Sequence, residues 1–193
     1  MHRTSQQPTL QSTALQLLKR SATYSLIAVI CAAYLVQLVV PGLQIDLLLP
    51  SFEYLQFSNE WYRLFTVALT HANLLHLGFN MYALMVLGNP LEAAFGKNKF
   101  LIVFFVSLLS GSLASAYFAP ILGTSVGASG AVFGLFGAMA VVGTKIGADI
   151  RSIAVIIGIN FFIGFAMGGV DWHAHLGGLI GGAVAAQLVM SRR

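Results

Sequence analysis

Long apolar runs separated by short polar breaks organise this chain. Residues 1–20 are polar, carry Arg3, Lys19 and Arg20, and read as a short cytoplasmic tail ahead of a single domain over 21–193. The first apolar run, Ala22 to Val40, is closed by Pro41 and Gly42 and predicts a membrane span. Residues 43–70 place Asp46, Glu53, Glu60 and Arg63 among Leu, Phe, Trp and Tyr, too polar to span and too aromatic for a plain linker. This pattern predicts short helices at the outer interface, with Trp61 and Tyr62 at headgroup level. A second span runs from near His71 to Gly88, Asn89 and Pro90, followed by a loop with Glu92, Lys97 and Lys99. The third span covers Phe100 to Phe118, and Pro120, Gly123 and Thr124 turn the chain into Gly127–Gly130, which heads a fourth span down to Val142. After Lys145, Asp149 and Arg151, a fifth span is expected from about Ile153 to Gly169. Asp171, Trp172, His173 and His175 open a sixth that ends at Ser191.

Composition agrees with this pattern. The chain is 58% hydrophobic and 8% charged, with a mean hydropathy of +0.84, outside the range of soluble domains. The fold class expected is an all-α, polytopic membrane protein with six transmembrane helices. Nine of the ten basic residues fall on one side of the six-span layout, only Arg63 falling on the other, so both termini are read as cytoplasmic. The +4 net charge is thus a topology signal, and without a basic face interleaved with aromatics it does not suggest nucleic acid. Cys31, the single cysteine, lies within the first run and cannot form an intrachain disulfide. That run lacks a convincing small-residue cleavage site and is read as a span, not a signal peptide.

Polar residues concentrate at the outer ends of the spans. If Lys145 marks the inner end of the fourth span, Ser129 lies about 24 Å above it at ~1.5 Å per residue, below the surface of a roughly 30 Å hydrocarbon layer. His175 stands about 25 Å above Arg192 by the same arithmetic, a matching depth. A histidine within hydrogen-bond reach is the usual activator of a serine nucleophile. His76 and Asn80 share one helical face, and both side chains donate hydrogen bonds. Together with the Ser129 and Gly130 backbone N–H groups at a helix N-terminus, they could meet a developing oxyanion. Asp171 is expected at the rim. His173 points about 200 degrees around the helix from His175 and is assigned a structural or surface role. Asn160 is read as bonding a neighbouring helix, and Met167 as adaptable packing. Fifteen of the twenty glycines fall at or after Gly123, and the pairs Gly130/Gly134 and Gly178/Gly182 have the four-residue spacing of close helix packing. These residues alone are compatible with a serine hydrolase, a polar-lined transporter or channel, or a structural bundle.

Three separated motifs in order carry a resemblance that discriminates among these readings. Gly127-Ala128-Ser129-Gly130, His76 to Asn80 as H-x-x-x-N, and His175 followed by Gly178 and Gly182 resemble the signatures of the rhomboid family of intramembrane serine proteases, in its bacterial six-helix form. The resemblance spans about Trp61 to Gly182. It takes in Gly88, Glu92, Phe95 and Gly96, which look like that family's loop after the second helix. It implies that Ser129 is the nucleophile and His175 the base of a dyad, with His76 and Asn80 lining the oxyanion site. His71, Gly127, Phe133, Gly178, Gly182 and Arg63 would be supporting residues. It further implies an inner-membrane enzyme that hydrolyses transmembrane protein substrates in the lipid bilayer without metal or cofactor. The first loop would embed partly in the membrane, and the fifth helix and the following loop would gate substrate entry. The non-enzyme alternative is an inactive rhomboid-like protein that binds membrane segments. Two positions depart from the family pattern. Many bacterial members have Trp-Arg adjacent where this chain has Trp61-Tyr62-Arg63, and Phe133 stands where a tyrosine commonly stacks on the catalytic histidine.

Overall fold

A computed structural model describes residues 21–118, 120, 123–149, 151, 153, 155, 158 and 170–191. The described residues form α1 (Ala22–Val39), three short helices α2 (Leu43–Leu47), α3 (Phe52–Ser58) and α4 (Arg63–Thr66), then α5 (Leu74–Phe95), α6 (Lys97–Phe118), α7 (Ser129–Val142) and α8 (Trp172–Ser191). Short 3₁₀ turns follow α4 and α7, and two-residue strands β1 (Leu49–Pro50) and β2 (Thr124–Ser125) pair antiparallel. Four of these segments are long and apolar enough to cross a membrane: Ala22–Val39, Lys97–Phe118, Ser129–Ile146 and Trp172–Ser191. The α5 helix is as long as α6 but falls outside that group, because His76, Asn80, Asn89 and Glu92 dilute its apolar character. The tail, most of the expected fifth span with Asn160 and Met167, and Arg192 and Arg193 lie outside the described residues.

Two expected boundaries are corrected. The helix expected to stop at Pro90 continues to Phe95, and the loop expected over Gly88–Gly96 is its last turns. Proline's fixed φ suits a helix and costs it one hydrogen bond. The turn beyond is anchored by Glu92, whose carboxylate accepts the N–H groups of Ala22 (2.7 Å) and Thr23 (2.9 Å) and the hydroxyls of Ser21 (2.9 Å) and Thr23 (2.7 Å). An acidic side chain thereby serves the orphan donors at the N-terminus of α1. The chain breaks at Gly96, where φ is +77°, and α6 begins at Lys97, earlier than the expected Phe100. At its far end α8 receives a matching cation, Lys99 Nζ donating to the Val189 carbonyl at 2.8 Å.

The first loop is built inward around Arg63, which is only 6% exposed. Its Nη1 donates to the carbonyls of Ile45 (2.5 Å) and Leu48 (3.1 Å), and its Nε pairs with Glu60 at 2.6 Å. The Tyr54 and Tyr62 rings lie 5.9 and 5.7 Å from the guanidinium carbon, so Tyr62 borders the cation directly. Trp61 packs edge-on to Phe52 and remains partly exposed. The β1–β2 pairing, Leu49 with Ser125 and Pro50 with Thr124, ties this loop to the turn that precedes Ser129.

At the centre stands α7, with Gly130 through Met139 all buried, packed chiefly against α6 and α8. Lipid offers no hydrophobic drive for helices to associate, so close van der Waals packing must hold them together. A Cβ placed on Gly178 would fall 1.9 Å from the Gly130 carbonyl oxygen, and one on Gly182 would fall 2.0 Å from that of Gly134. Backbone meets backbone at this crossing. Gly178→Val is therefore expected to destabilise the protein by about 1–3 kcal/mol, read as a lowered thermal midpoint in detergent. Gly78→Ala faces open space on α5 and should instead raise stability by about 0.5–1 kcal/mol.

Candidate active site

Ser129 is the first residue of α7, reached through a sharp turn. Gly127 has φ +112°, and a Cβ there would lie 2.6 Å from Cε1 of His76, so both its conformation and its surroundings require glycine. Three bonds hold this turn in place. The Gly127 N–H donates to the Val67 carbonyl at 3.0 Å, the Ala128 N–H reaches Nε2 of His71 at 3.5 Å, and the Val132 N–H closes on the Ala128 carbonyl at 3.0 Å. Helix geometry leaves the N–H groups of Ser129 and Gly130 without intrahelical acceptors, facing the space above α7.

His71 is fully buried and works as scaffold. Gln37 on α1 brackets its peptide unit, accepting the His71 N–H at 3.1 Å and donating to its carbonyl at 2.8 Å. The His71 ring lies 5.1 Å from that of His76, and its Nε2, as acceptor, leaves the proton on Nδ1. His76 follows the N-cap Asn73, whose side chain accepts the His76 N–H at 2.8 Å. The imidazole of His76 lies beside the serine turn at Gly127. Asn80 is one turn further along the same face, 5% exposed, with Nδ2 donating to the His76 carbonyl at 2.9 Å. One amide hydrogen stays available for a ligand, and among the described residues Asn80 Oδ1 has no hydrogen-bond partner.

His175 is buried on the first turns of α8, and the Phe133 ring lies flat on it, 3.8 Å between centroids and 8° from parallel. Phe133 is four residues after Ser129, on the same face of α7. The His175 ring is thus stacked against the face that Ser129 heads. This contact depends on the glycine crossing, where Gly111 of α6 also takes part: a Cβ on Gly111 would meet the Ala174 carbonyl oxygen at 2.8 Å and the Gly130 Cα at 3.2 Å.

The Asp171 carboxylate makes two hydrogen bonds at the head of α8. Its Oδ1 accepts the Ala174 N–H at 3.0 Å, capping α8, and its Oδ2 accepts the Ser115 hydroxyl. His173 stacks on Phe118 at 5.4 Å and 12°, has the Trp172 ring 3.7 Å from its own, and remains about a quarter exposed. Beside Ser129 is a small cavity of about 10 Å³, lined on its polar side by Ser112, Ser115, Ser125 and Ser129, with room for about one water. Sequence reasoning missed Gln37, Gly111, Ser112 and Ser115. None belongs to a motif, and each matters only through a contact across helices.

The turn itself generates a prediction. Gly127→Ala combines a strained φ with a clash on the His76 ring and should cost about 1–3 kcal/mol, measured as a lower midpoint of thermal unfolding.

Comparison with known proteins places this geometry. A family model described as Rhomboid domain matches residues 58–192. The chain is 40% identical to Rhomboid protease GluP of Bacillus subtilis (strain 168) over 137 residues, which is 67% of this chain and 26% of that protein. It is 32% identical to Putative rhomboid protease YdcA of the same organism over 141 residues, 70% of this chain and 71% of that protein. Identity to Rhomboid-like protease 3 of Toxoplasma gondii is 35% over 136 residues, 65% of this chain and 51% of that protein. The match to the first of these therefore spans about a quarter of its length, and the match to the third about half. With the family model covering most of the chain, and the serine turn, the histidine stack and the glycine crossing all inside the matched region, this protein belongs to the rhomboid family.

Proposed function

We propose that this protein is an intramembrane serine endopeptidase that cleaves transmembrane protein substrates near the outer boundary of the membrane through a Ser129–His175 dyad. The observation that carries the reading is the stack of the His175 ring on Phe133, one helical turn from Ser129 at the glycine crossing of α7 and α8. The similarity to the rhomboid proteases GluP, YdcA and the Toxoplasma relative supports a protease. So does the presence of both Ser129 and His175, one of which an inactive, segment-binding relative would be expected to lack.

In this mechanism the Ser129 hydroxyl attacks the scissile carbonyl carbon while a ring nitrogen of His175 takes its proton. The carbonyl oxygen becomes an oxyanion met by the Ser129 and Gly130 N–H groups, with His76 and Asn80 as further donors. The tetrahedral intermediate collapses as His175 returns the proton to the leaving amine, leaving an ester on Ser129. A water then repeats the attack, with His175 again as base, and releases the new carboxylate. Phe133 fixes the plane of the imidazole through its face without competing for a ring nitrogen. The hydroxyl that a tyrosine would supply at this position is not needed for that task. A helical substrate hides its carbonyls in hydrogen bonds, so local unwinding precedes attack, and helix-destabilising residues near the scissile bond should favour cleavage.

The same reading places six spans in a bacterial inner membrane, both termini in the cytoplasm, 21–193 as one membrane domain and 1–20 as a tail. Arg63, His71 and Gly127 maintain the loop and turn around the serine, and Gly178 and Gly182 maintain the approach of α8.

Cleavage of a single-span model substrate in liposomes tests the proposal. S129A and H175A should each lose activity by on the order of 10⁴-fold or more, and wild-type turnover by S129A would overturn the nucleophile assignment. N80A should lower turnover about 10- to 1000-fold if its amide meets the oxyanion. A lowered unfolding midpoint with unchanged turnover would mark Asn80 as purely structural.

A further inference from the structure

Four serines lie on α6, and Ser115 bonds differently from Ser107 and Ser110. A buried serine in a membrane helix commonly returns its proton to a carbonyl of the preceding turn. Ser107 does so to Val103 at 2.6 Å, and Ser110 to Ser107 at 3.1 Å. Ser115, 3% exposed, instead donates across to the carboxylate of Asp171 at the head of α8.

An N-cap needs only one carboxylate oxygen, and Oδ1 of Asp171 serves the Ala174 N–H. The second oxygen is free of that duty and binds a different helix. The peptide oxygen of the same residue accepts the His175 N–H at 3.2 Å, so the residue that carries the imidazole is tied directly to the residue latched to α6. His175 is then held from two sides, its ring by Phe133 of α7 and its backbone by Asp171 through Ser115 of α6. Among the described residues, the titratable groups facing this carboxylate are the imidazole of His175 and that of His173, whose Nδ1 is 3.8 Å from Oδ1 and whose ring is stacked on Phe118. Ser115 and Ala174 also line the small cavity that touches Ser129, so the latch closes at the wall of the site.

We infer that the Ser115–Asp171 latch is a positioning device for His175, setting the rotation of the first turn of α8 so that the imidazole meets Ser129. The inference rests on the dyad reading above. Misplacing a catalytic group by about 1 Å can cost on the order of 100-fold in rate. Removing the latch therefore lowers the chemical step and leaves substrate binding intact.

The test measures kcat and KM, per folded molecule, for single-span substrate cleavage in proteoliposomes by wild type, S115A, D171A and D171N, with S129A and H175A alongside. S115A keeps the cap and loses the latch, D171A loses both, and D171N retains a capping oxygen and a group that Ser115 can still bond. S115A and D171A are expected to lower kcat about 10- to 100-fold with KM changed less than about twofold, and D171N to recover most of the loss. Wild-type kcat in S115A, a loss expressed only in KM, or D171N no better than D171A would overturn the latch. If D171A does not fold, S115A and D171N decide the matter. Activity retained by S129A or H175A would show that the dyad reading itself had failed. Activity lost in those two with full kcat in S115A would remove the latch alone.

Discussion

The approach of α7 and α8, backbone against backbone, is the constraint from which the rest of the site follows. In lipid, two apolar helices gain nothing by hiding from solvent, so they associate only as far as their surfaces interlock. Here the surfaces are bare peptide: the Gly130 and Gly134 carbonyls occupy the places where side chains on Gly178 and Gly182 would otherwise begin. This short separation lets Phe133 on one helix lie flat against His175 on the other. It also admits Gly111 of α6 at the same level, so three helices meet within one turn of the serine. A wider crossing would keep every residue of the site and lose the site.

A second layer of order surrounds the turn before Ser129, where the backbone adopts a conformation that relaxes if unsupported. The support comes from parts of the chain far apart in sequence. A two-residue strand of the first loop pairs with residues 124 and 125, the Val67 carbonyl takes the Gly127 N–H, and His71 takes that of Ala128. Gln37 of α1 holds His71 through both of its peptide groups. Placing the serine is thus shared between α1, the first loop and the segment that leads into α5, and its neighbouring helix supplies the histidine.

Much of this was legible in the sequence, for identifiable reasons. Apolar runs marked α1, α6, α7 and α8 because a bilayer demands unbroken apolar length, and the small residues of α7 and α8 marked their mutual approach. The polar load on α5 pointed to the candidate site because His76 and Asn80 share one face of an otherwise largely apolar helix. What misled was local punctuation. Pro90 reads as an end, yet the helix passes through it because Glu92, four residues before the true break at Gly96, is anchored on the start of α1. Asp171 is expected at the rim, and the partners its carboxylate takes there, Ser115 and Ala174, depend on where α6 lies. Gln37, Gly111 and Ser115 could not be singled out, since their partners are 34, 63 and 56 positions distant along the chain.

The ion pair inside the first loop has an electrical side. Arg63 is the one Lys or Arg between Arg20 and Lys97, and its charge is matched at 2.6 Å by Glu60, with its other hydrogen bonds made to loop carbonyls. A lone arginine in a short connecting segment would resist translocation and pull against the voltage across an energised membrane, at about 2.3 kcal/mol per charge per 100 mV. Folded onto its partner, it contributes no net charge for the field to act on. The loop can carry a cation for architecture without adding an uncompensated charge.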